Sequence, residues 1–490
     1  MGAKNMNATP STWGRDPVIA GLTADSRAVK PGYLFAALPG SKMDGRAFIA
    51  DAVRAGAVAV LAPEGTVLPA IPGAAFPVVL VEDDSPRRRF AQMAAAFFDR
   101  QPREIVAVTG TNGKTSTVQF VRQIWNRLGH SAASLGTIGV TASGPGTDGL
   151  DTYGAMTTPD PVTLHQELHT LAEAGVEHVA MEASSHGLDQ YRLDGVRLKA
   201  AGFTNLTRDH LNYHGTMEAY LQAKAQLFER VLPADGVAVI NADVEEFQAL
   251  SKLCDWRGIR VIGYGFGGRE LRVLDVQPLA HGQRLTLEVM GRRHAVALPL
   301  AGRFQAWNVL CALGLVLASG ADQDAAVAAL ESLEGVPGRL QHVATSPAGA
   351  PVYVDYAHTP DALETVLNAL RPHTAGRLVV AFGCGGDRDR GKRPVMGSIA
   401  ARLADRVIVT DDNPRTEVPE AIRCEVMAGC PLAEEIGDRR EAIRAAVRGL
   451  GSTDVLVIAG KGHEQGQDVG TEIRPFDDAV EARNAVAETA

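Results

Sequence analysis

Cysteine is scarce and carries no pattern. Five of them, Cys254, Cys311, Cys384, Cys424 and Cys430, are scattered over 490 residues without C-x-x-C spacing. An odd, dispersed set excludes a disulfide framework and a cysteine zinc site, and it fits a reducing cytosol. There is no excess of positive charge: 48 Lys and Arg stand against 57 Asp and Glu, a net charge of −9. That balance argues against a nucleic-acid or membrane-surface binder, so a polyanionic ligand has to sit in local basic pockets. No apolar run is long enough to span a bilayer. The polar stretch Met1 to Pro17 lacks the apolar segment of a secretory signal. Met1-Gly2 fails the myristoylation pattern because Met6 stands where Ser or Thr is needed. A soluble cytoplasmic protein, inserted in no membrane, is expected.

What is present is an ordinary globular composition, 46% apolar and 21% charged, of a length that suits about three domains. The most informative stretch is Val108-Thr109-Gly110-Thr111-Asn112-Gly113-Lys114-Thr115-Ser116. Before it, Glu104 to Val108 reads as a buried strand; after it, Val118, Val121, Ile124, Trp125 and Leu128 fall at helical spacing. A strand, a Gly-rich turn and a helix N-terminus make an anion site, because free backbone N–H groups and the helix dipole converge there. Lys114 adds a point charge for the β- and γ-phosphates, and the Thr115 hydroxyl is placed to hold Mg²⁺. The strict G-x-x-x-x-G-K-[ST] pattern is not met, since its first glycine falls at Val108. The shorter form, in this strand-helix context, still reads as an ATP site.

The chain divides at hinge-like Gln101-Pro102-Arg103 and Gly335-Val336-Pro337-Gly338-Arg339, giving expected domains 1–102, 103–335 and 336–490. The first is a small α/β unit with polar turns at Asp25-Ser26-Arg27 and Gly40 to Arg46, which by themselves read as capping or turn segments. In the second, the strand Val176 to Met181 ends at Glu182, a position suited to Mg²⁺ or equally to a plain surface carboxylate. His210 and His214 are four apart, on one face if the segment is helical, but Leu211 breaks the H-E-x-x-H zinc pattern. One of the two serving the ATP metal is the better expectation. Ala219 to Val231 reads as a helix on which Lys224 alone would be a solvated lysine, and Phe304 to Ser319 is an apolar helix with Asn308 near its start. The third region is doubly wound α/β: strands Val352 to Tyr356, Leu378 to Phe382, Arg406 to Thr410 and Val455 to Ala459 alternate with helices. Its strand ends carry Asp355-Tyr356-Ala357-His358, Gly385 to Arg393, Asp411 to Arg415 and Gly460 to Glu464. Mixed charge at every strand end suits a zwitterionic or dicarboxylic ligand.

On Thr109 to Ser116, Thr157-Thr158-Pro159-Asp160, Met181 to Gly187, Arg208 to Gly215 and Asp355 to Pro360, the chain resembles the Mur ligases over essentially its whole length. Asp412-Asn413-Pro414-Arg415 is similar to the motif of the branch that adds meso-diaminopimelate to UDP-N-acetylmuramoyl-L-alanyl-D-glutamate. The resemblance implies a three-domain α/β architecture with a central P-loop-type ATPase domain and a C-terminal Rossmann-like domain. It also implies ATP-dependent amide formation through an acyl phosphate, with no nucleic-acid partner, in a monomer. Gly110, Thr111, Asn112, Gly113, Lys114, Thr115, Ser116, Asn308, Arg339 and Asp355 would serve ATP, and Thr115, Glu182 and His210 the Mg²⁺ ion. Lys114, His210 and Lys224 would be catalytic, Lys224 after carbamylation by CO₂. Ser26, Ser41, Lys42, Met43, Thr157, Thr158, Ser184, Gln190 and Arg192 would contact the UDP-linked dipeptide. Arg388, Asp412, Asn413, Pro414, Arg415, Gly460 and Glu464 would contact diaminopimelate.

Overall fold

The computed structural model describes residues 17–40, 43–70, 77–154, 156–279 and 281–489. Ser41 and Lys42 therefore lie outside the described residues. Two compact units emerge: one reaches to Ile262 and takes in Gly314–Gly320, the other comprises Gly263–Leu313 and the chain from Ala321 onward.

The first unit opens with β1 (Gly21–Thr23), β2 (Tyr33–Ala36), β3 (Ala59–Pro63) and β4 (Val79–Asp83), a parallel sheet in that order. The helix Pro86–Phe98, started by a proline whose missing N–H costs nothing in the first turn, lays Phe90, Met93 and Ala94 on Leu34, Ala36 and Leu61. There follow β5 (Glu104–Thr109), β6 (Ala132–Gly136), β7 (Gly139–Ser143), β8 (His178–Glu182), β9 (Leu198–Phe203) and β10 (Val237–Asn241). They lie in the order β10-β9-β5-β8-β6-β7, parallel except between β6 and β7. Because β5 is flanked by β8 and β9, three loops leave neighbouring carboxyl ends, where ligands of open α/β sheets collect.

Two local expectations change. His210 is not on a helical face: it precedes the short helix Leu211–His214 with φ +53°, so only one turn separates the two histidines. The helix carrying Lys224 is α-helical only over Met217–Gln226, and Leu227–Val231 continues it as a wider π-turn.

Along the chain β11 (Arg260–Gly265) leads into β12 (Leu271–Leu279), β13 (Gly282–Val289) and β14 (Arg292–Leu298), an antiparallel meander within a region expected to alternate strand and helix. Its period-2 pattern pairs Leu271 with Val289 and Val273 with Leu287 on the covered face. The remaining strands are β15 (Gln341–Thr345), β16 (Pro351–Asp355), β17 (Leu378–Phe382), β18 (Arg406–Val409), β19 (Glu434–Glu435) and β20 (Val455–Ala459). Their order is β15-β16-β20-β17-β18-β19, with β15 alone antiparallel. β16, β17 and β20 are buried throughout, the mark of a sheet covered on both faces. Among the described residues no helix is long and apolar enough to cross a membrane.

Candidate active site

β5 ends at the glycine loop, and the helix Lys114–Arg127 begins on its far side. Gly110 adopts φ +144°, and a Cβ there would collide with the Thr204 hydroxyl, so the loop needs glycine at this point. The end of β9 grips the loop: Thr111 N donates to the Asn205 carbonyl (2.8 Å), Asn112 N to Asn205 Oδ1 (3.0 Å), and Thr204 Oγ1 to the Asn112 carbonyl (2.6 Å). Lys114 Nζ bends back to donate to the Gly110 and Thr111 carbonyls at 2.9 and 2.8 Å. Its ammonium thus lies over the loop, where phosphate oxygens would meet it.

Glu182, buried at the end of β8, accepts from Thr115 Oγ1 (3.0 Å) and Thr137 N (2.8 Å) through Oε1. The structure therefore brings Thr115 and Glu182 together, while His210 Nε2 lies 3.4 Å from Asp209 Oδ2 with its side chain about half exposed. Among the described residues no three His, Cys, Asp or Glu side chains form a metal cage. A hydroxyl beside a carboxylate nonetheless fits Mg²⁺, which takes few protein oxygens and fills its shell with phosphate and water.

Lys224 is buried, not solvated. Its Nζ donates to the Gly110 carbonyl at 2.8 Å and lies 4.3 Å from the centre of the Tyr220 ring. Burial, helped by the Lys114 charge, lowers its pKa to about 6 against the pull of Asp209. The shift favours the neutral amine, the form that can act as a nucleophile.

The residues expected around the UDP-linked dipeptide divide. Thr158, Ser184, Gln190 and Arg192 converge: Arg192 donates to the Thr158 carbonyl (2.6 Å) and Gln190 Oε1 (2.8 Å), and Ser184 N to Thr158 Oγ1 (3.0 Å). Thr157 instead meets Thr137, whose hydroxyl lies 3.0 Å from its own and whose N–H donates to Glu182. Ser26 sits in a short 3₁₀ turn capped by Asp25, and the Met43 side chain is exposed.

In the second unit a cavity of about 650 Å³ opens at the strand ends. Every expected diaminopimelate contact lines it except Pro414. Asn413 Nδ2 donates to Glu464 Oε2 (2.9 Å), and the buried Lys461 ties the two together, donating to Asn413 Oδ1 (2.8 Å) and Glu464 Oε2 (3.2 Å). Arg415, at φ +51°, donates to the Gly386 carbonyl (2.8 Å) and faces Asp468 (3.5 Å). Gly460 has φ +116°, and a Cβ there would come within 2.5 Å of the Asp412 carboxylate. Acidic Asp412 and Glu464 line the same cavity as basic Arg388 and Arg415, a mixture that suits an ammonium plus carboxylates. Asn308, Arg339 and Asp355 form one chain of contacts: Asn308 donates to Gln305 (3.0 Å), Gln305 to the Arg339 carbonyl (3.3 Å), and Leu340 N to Asp355 (2.6 Å). Burial raises the Asp355 carboxyl to about 6 despite Arg339 and two backbone donors.

Several supporting residues escaped the sequence. Asn205, which follows β9, belongs to no motif, and Lys461 reads only as part of a polar loop. Arg393 is fully buried, bonded to Glu417 and Glu425, and donates to the Gly385 carbonyl, fixing the loop that carries Arg388. No spacing marks such a residue, because Glu417 and Glu425 lie 24 and 32 residues further along the chain.

Family models match the chain in order: the Mur ligase family catalytic domain over residues 18–98, the Mur ligase middle domain over 108–316 and the Mur ligase glutamate ligase domain over 338–462. The chain is 56% identical to a Caulobacter vibrioides protein named UDP-N-acetylmuramoyl-L-alanyl-D-glutamate–2,6-diaminopimelate ligase, covering 96% of each. It is 53% identical to a Mesorhizobium japonicum protein of the same name, covering 97% of this chain and 96% of that one. A solved structure of a ligase with that name is 36% identical, covers 99% of this chain and 97% of its own, and has a TM-score of 0.74. With that identity along nearly its whole length, the chain belongs to the Mur ligase family.

Proposed function

We propose that the chain joins the amine of meso-diaminopimelate to the D-glutamate γ-carboxylate of UDP-N-acetylmuramoyl-L-alanyl-D-glutamate, consuming ATP, as a cytoplasmic monomer in peptidoglycan precursor synthesis. The observation that carries this reading is the second-unit cavity, which Asp412 and Glu464 line together with Arg388 and Arg415. A carboxylate does not react with an amine, because its oxygen leaves poorly. The γ-carboxylate oxygen attacks the γ-phosphorus of ATP, ADP leaves, and an acyl phosphate forms. The amine then attacks the acyl carbon and phosphate departs. Lys114 stabilises charge on the transferring phosphoryl group, and the loop N–H groups orient it. Thr115, Glu182 and His210 would hold Mg²⁺, which when bound neutralises phosphate oxygens. Arg192 and Gln190 hold the dipeptide; Arg388 and Arg415 position the amino acid without proton transfer.

Lys224 serves as its carbamate, turning a buried amine into an anion. With ¹³C-bicarbonate, a carbamate carbon signal is expected at about pH 8, fading as pH falls through about 6, where the amine protonates, and absent in Lys224→Met. An identical signal in that variant would remove the assignment.

The test of the reaction is an amino-acid panel with ATP, Mg²⁺ and the UDP-linked dipeptide, read as phosphate release and product mass. Meso-diaminopimelate alone should turn over. Arg415→Ala should raise its KM by about 10- to 100-fold, the worth of a charge-assisted contact. Turnover with lysine instead would make this a lysine-adding ligase, and none with any amine would leave a nucleotide-binding regulator.

A further inference from the structure

The helix Ser185–Asp189 ends in a Schellman turn with the wrong residue in it. Tyr191 N donates to the Leu188 carbonyl (3.1 Å) and Arg192 N to the Gly187 carbonyl (2.8 Å), the paired bonds of that motif. The motif requires left-handed backbone at the residue after the cap, where glycine or asparagine is usual, yet this chain places Tyr191 there at φ +58°. Something outside the turn has to hold it. Arg230 is the side chain in position to do so. Its guanidinium carbon lies 4.4 Å from the centre of the Tyr191 ring, and its Nη2 donates to the same Leu188 carbonyl at 2.8 Å. Its Nη1 pairs with Asp194, whose own N–H donates to the Tyr191 carbonyl (3.1 Å) and whose carboxylate also meets Arg88 at 3.0 Å.

Arg230 lies in the π-wound segment Leu227–Val231 that continues the Lys224 helix, and its Nε donates to Gln226 Oε1 on that helix (3.2 Å). The wider winding changes the direction in which side chains leave after Gln226, a device that recurs at functional sites. On either side of Tyr191 stand Gln190 and Arg192, bonded to each other at 2.8 Å.

We propose that Arg230 is a positioning residue for the UDP-linked substrate: by clamping Tyr191 in its left-handed turn, it aims Gln190 and Arg192 at that substrate. The inference rests on the reading of Gln190 and Arg192 as substrate contacts. It also ties the substrate turn to the helix that presses Lys224 against the phosphate loop.

The test is steady-state kinetics on the full-length enzyme. Arg230→Met should raise KM for the UDP-linked dipeptide by about tenfold, leaving KM for ATP and for diaminopimelate within about twofold. Adding Tyr191→Asn to it should recover most of that loss, because asparagine accepts left-handed backbone without a clamp. A merely structural role would move all three KM values together and would not respond to residue 191; either result overturns the proposal. If Arg230→Met does not fold, Arg230→Lys carries the test. It keeps a cation for Asp194 but lacks the planar fork that also reaches Leu188, so a smaller rise in the same KM is expected. Arg192→Ala is the control: if it leaves that KM unchanged, the reading of the substrate contacts fails and the inference with it. If Arg192→Ala raises KM while the Arg230 variants do not, the inference alone fails.

Discussion

Lys114→Met should leave a folded protein whose kcat is lower by about 10²- to 10³-fold, the usual cost of removing one preorganised charge-stabilising donor. The ammonium spans the Gly110 and Thr111 carbonyls at 2.9 and 2.8 Å, which holds it over the loop rather than in a core. Methionine occupies similar volume without the charge. Phosphate release with all substrates present measures the loss, and an unchanged melting temperature separates it from misfolding. KM for diaminopimelate should hardly move, since that cavity is built from other residues. A fall in kcat of less than about threefold would mean that the phosphoryl charge is stabilised elsewhere.

The second large effect concerns stability. Arg439 and Asp478 form a fully buried pair, Nε to Oδ1 and Nη2 to Oδ2 both at 2.7 Å. Arg439 also donates to the Ala459 carbonyl at 2.9 Å and the Asp411 carbonyl at 3.3 Å, the residues just before Gly460 and Asp412. Asp478→Ala should cost roughly 3–5 kcal/mol, because it strands a guanidinium in the interior. The double change Arg439→Met with Asp478→Leu should be milder than either single one, since neither charge is left alone. Melting temperatures of the three variants decide this. If the double variant were as damaged as the singles, packing rather than the stranded charge would be the cause.

Much of this protein can be read from local pattern. β5, the glycine loop and the helix after it are contiguous, and the change from an apolar run to helical spacing around Gly110 to Lys114 marks all three parts. The strands of the second unit are short apolar runs followed by charged loops, so the cavity residues at their carboxyl ends follow from chain order once the sheet is parallel. The meander of β12 to β14 also had a legible signal, the alternation through Leu271, Val273, Leu285, Leu287, Val296 and Leu298, which a strand-helix expectation passed over.

β5 with its glycine loop and following helix, and the charged strand ends of the second unit, were determined by the sequence alone, because each depends on neighbours within a turn or a strand. Tertiary structure decided which charged side chains lose their water and what they face instead. Lys224 reads as a solvated helix lysine until Gly110, 114 residues away, supplies its carbonyl and Tyr220 covers it. Arg439 meets Asp478 across 39 residues, and Arg230 meets Asp194 across 36. Burial and pairing are set by residues remote in the chain, and burial is what converts an ordinary lysine or arginine into a shifted base or a clamp.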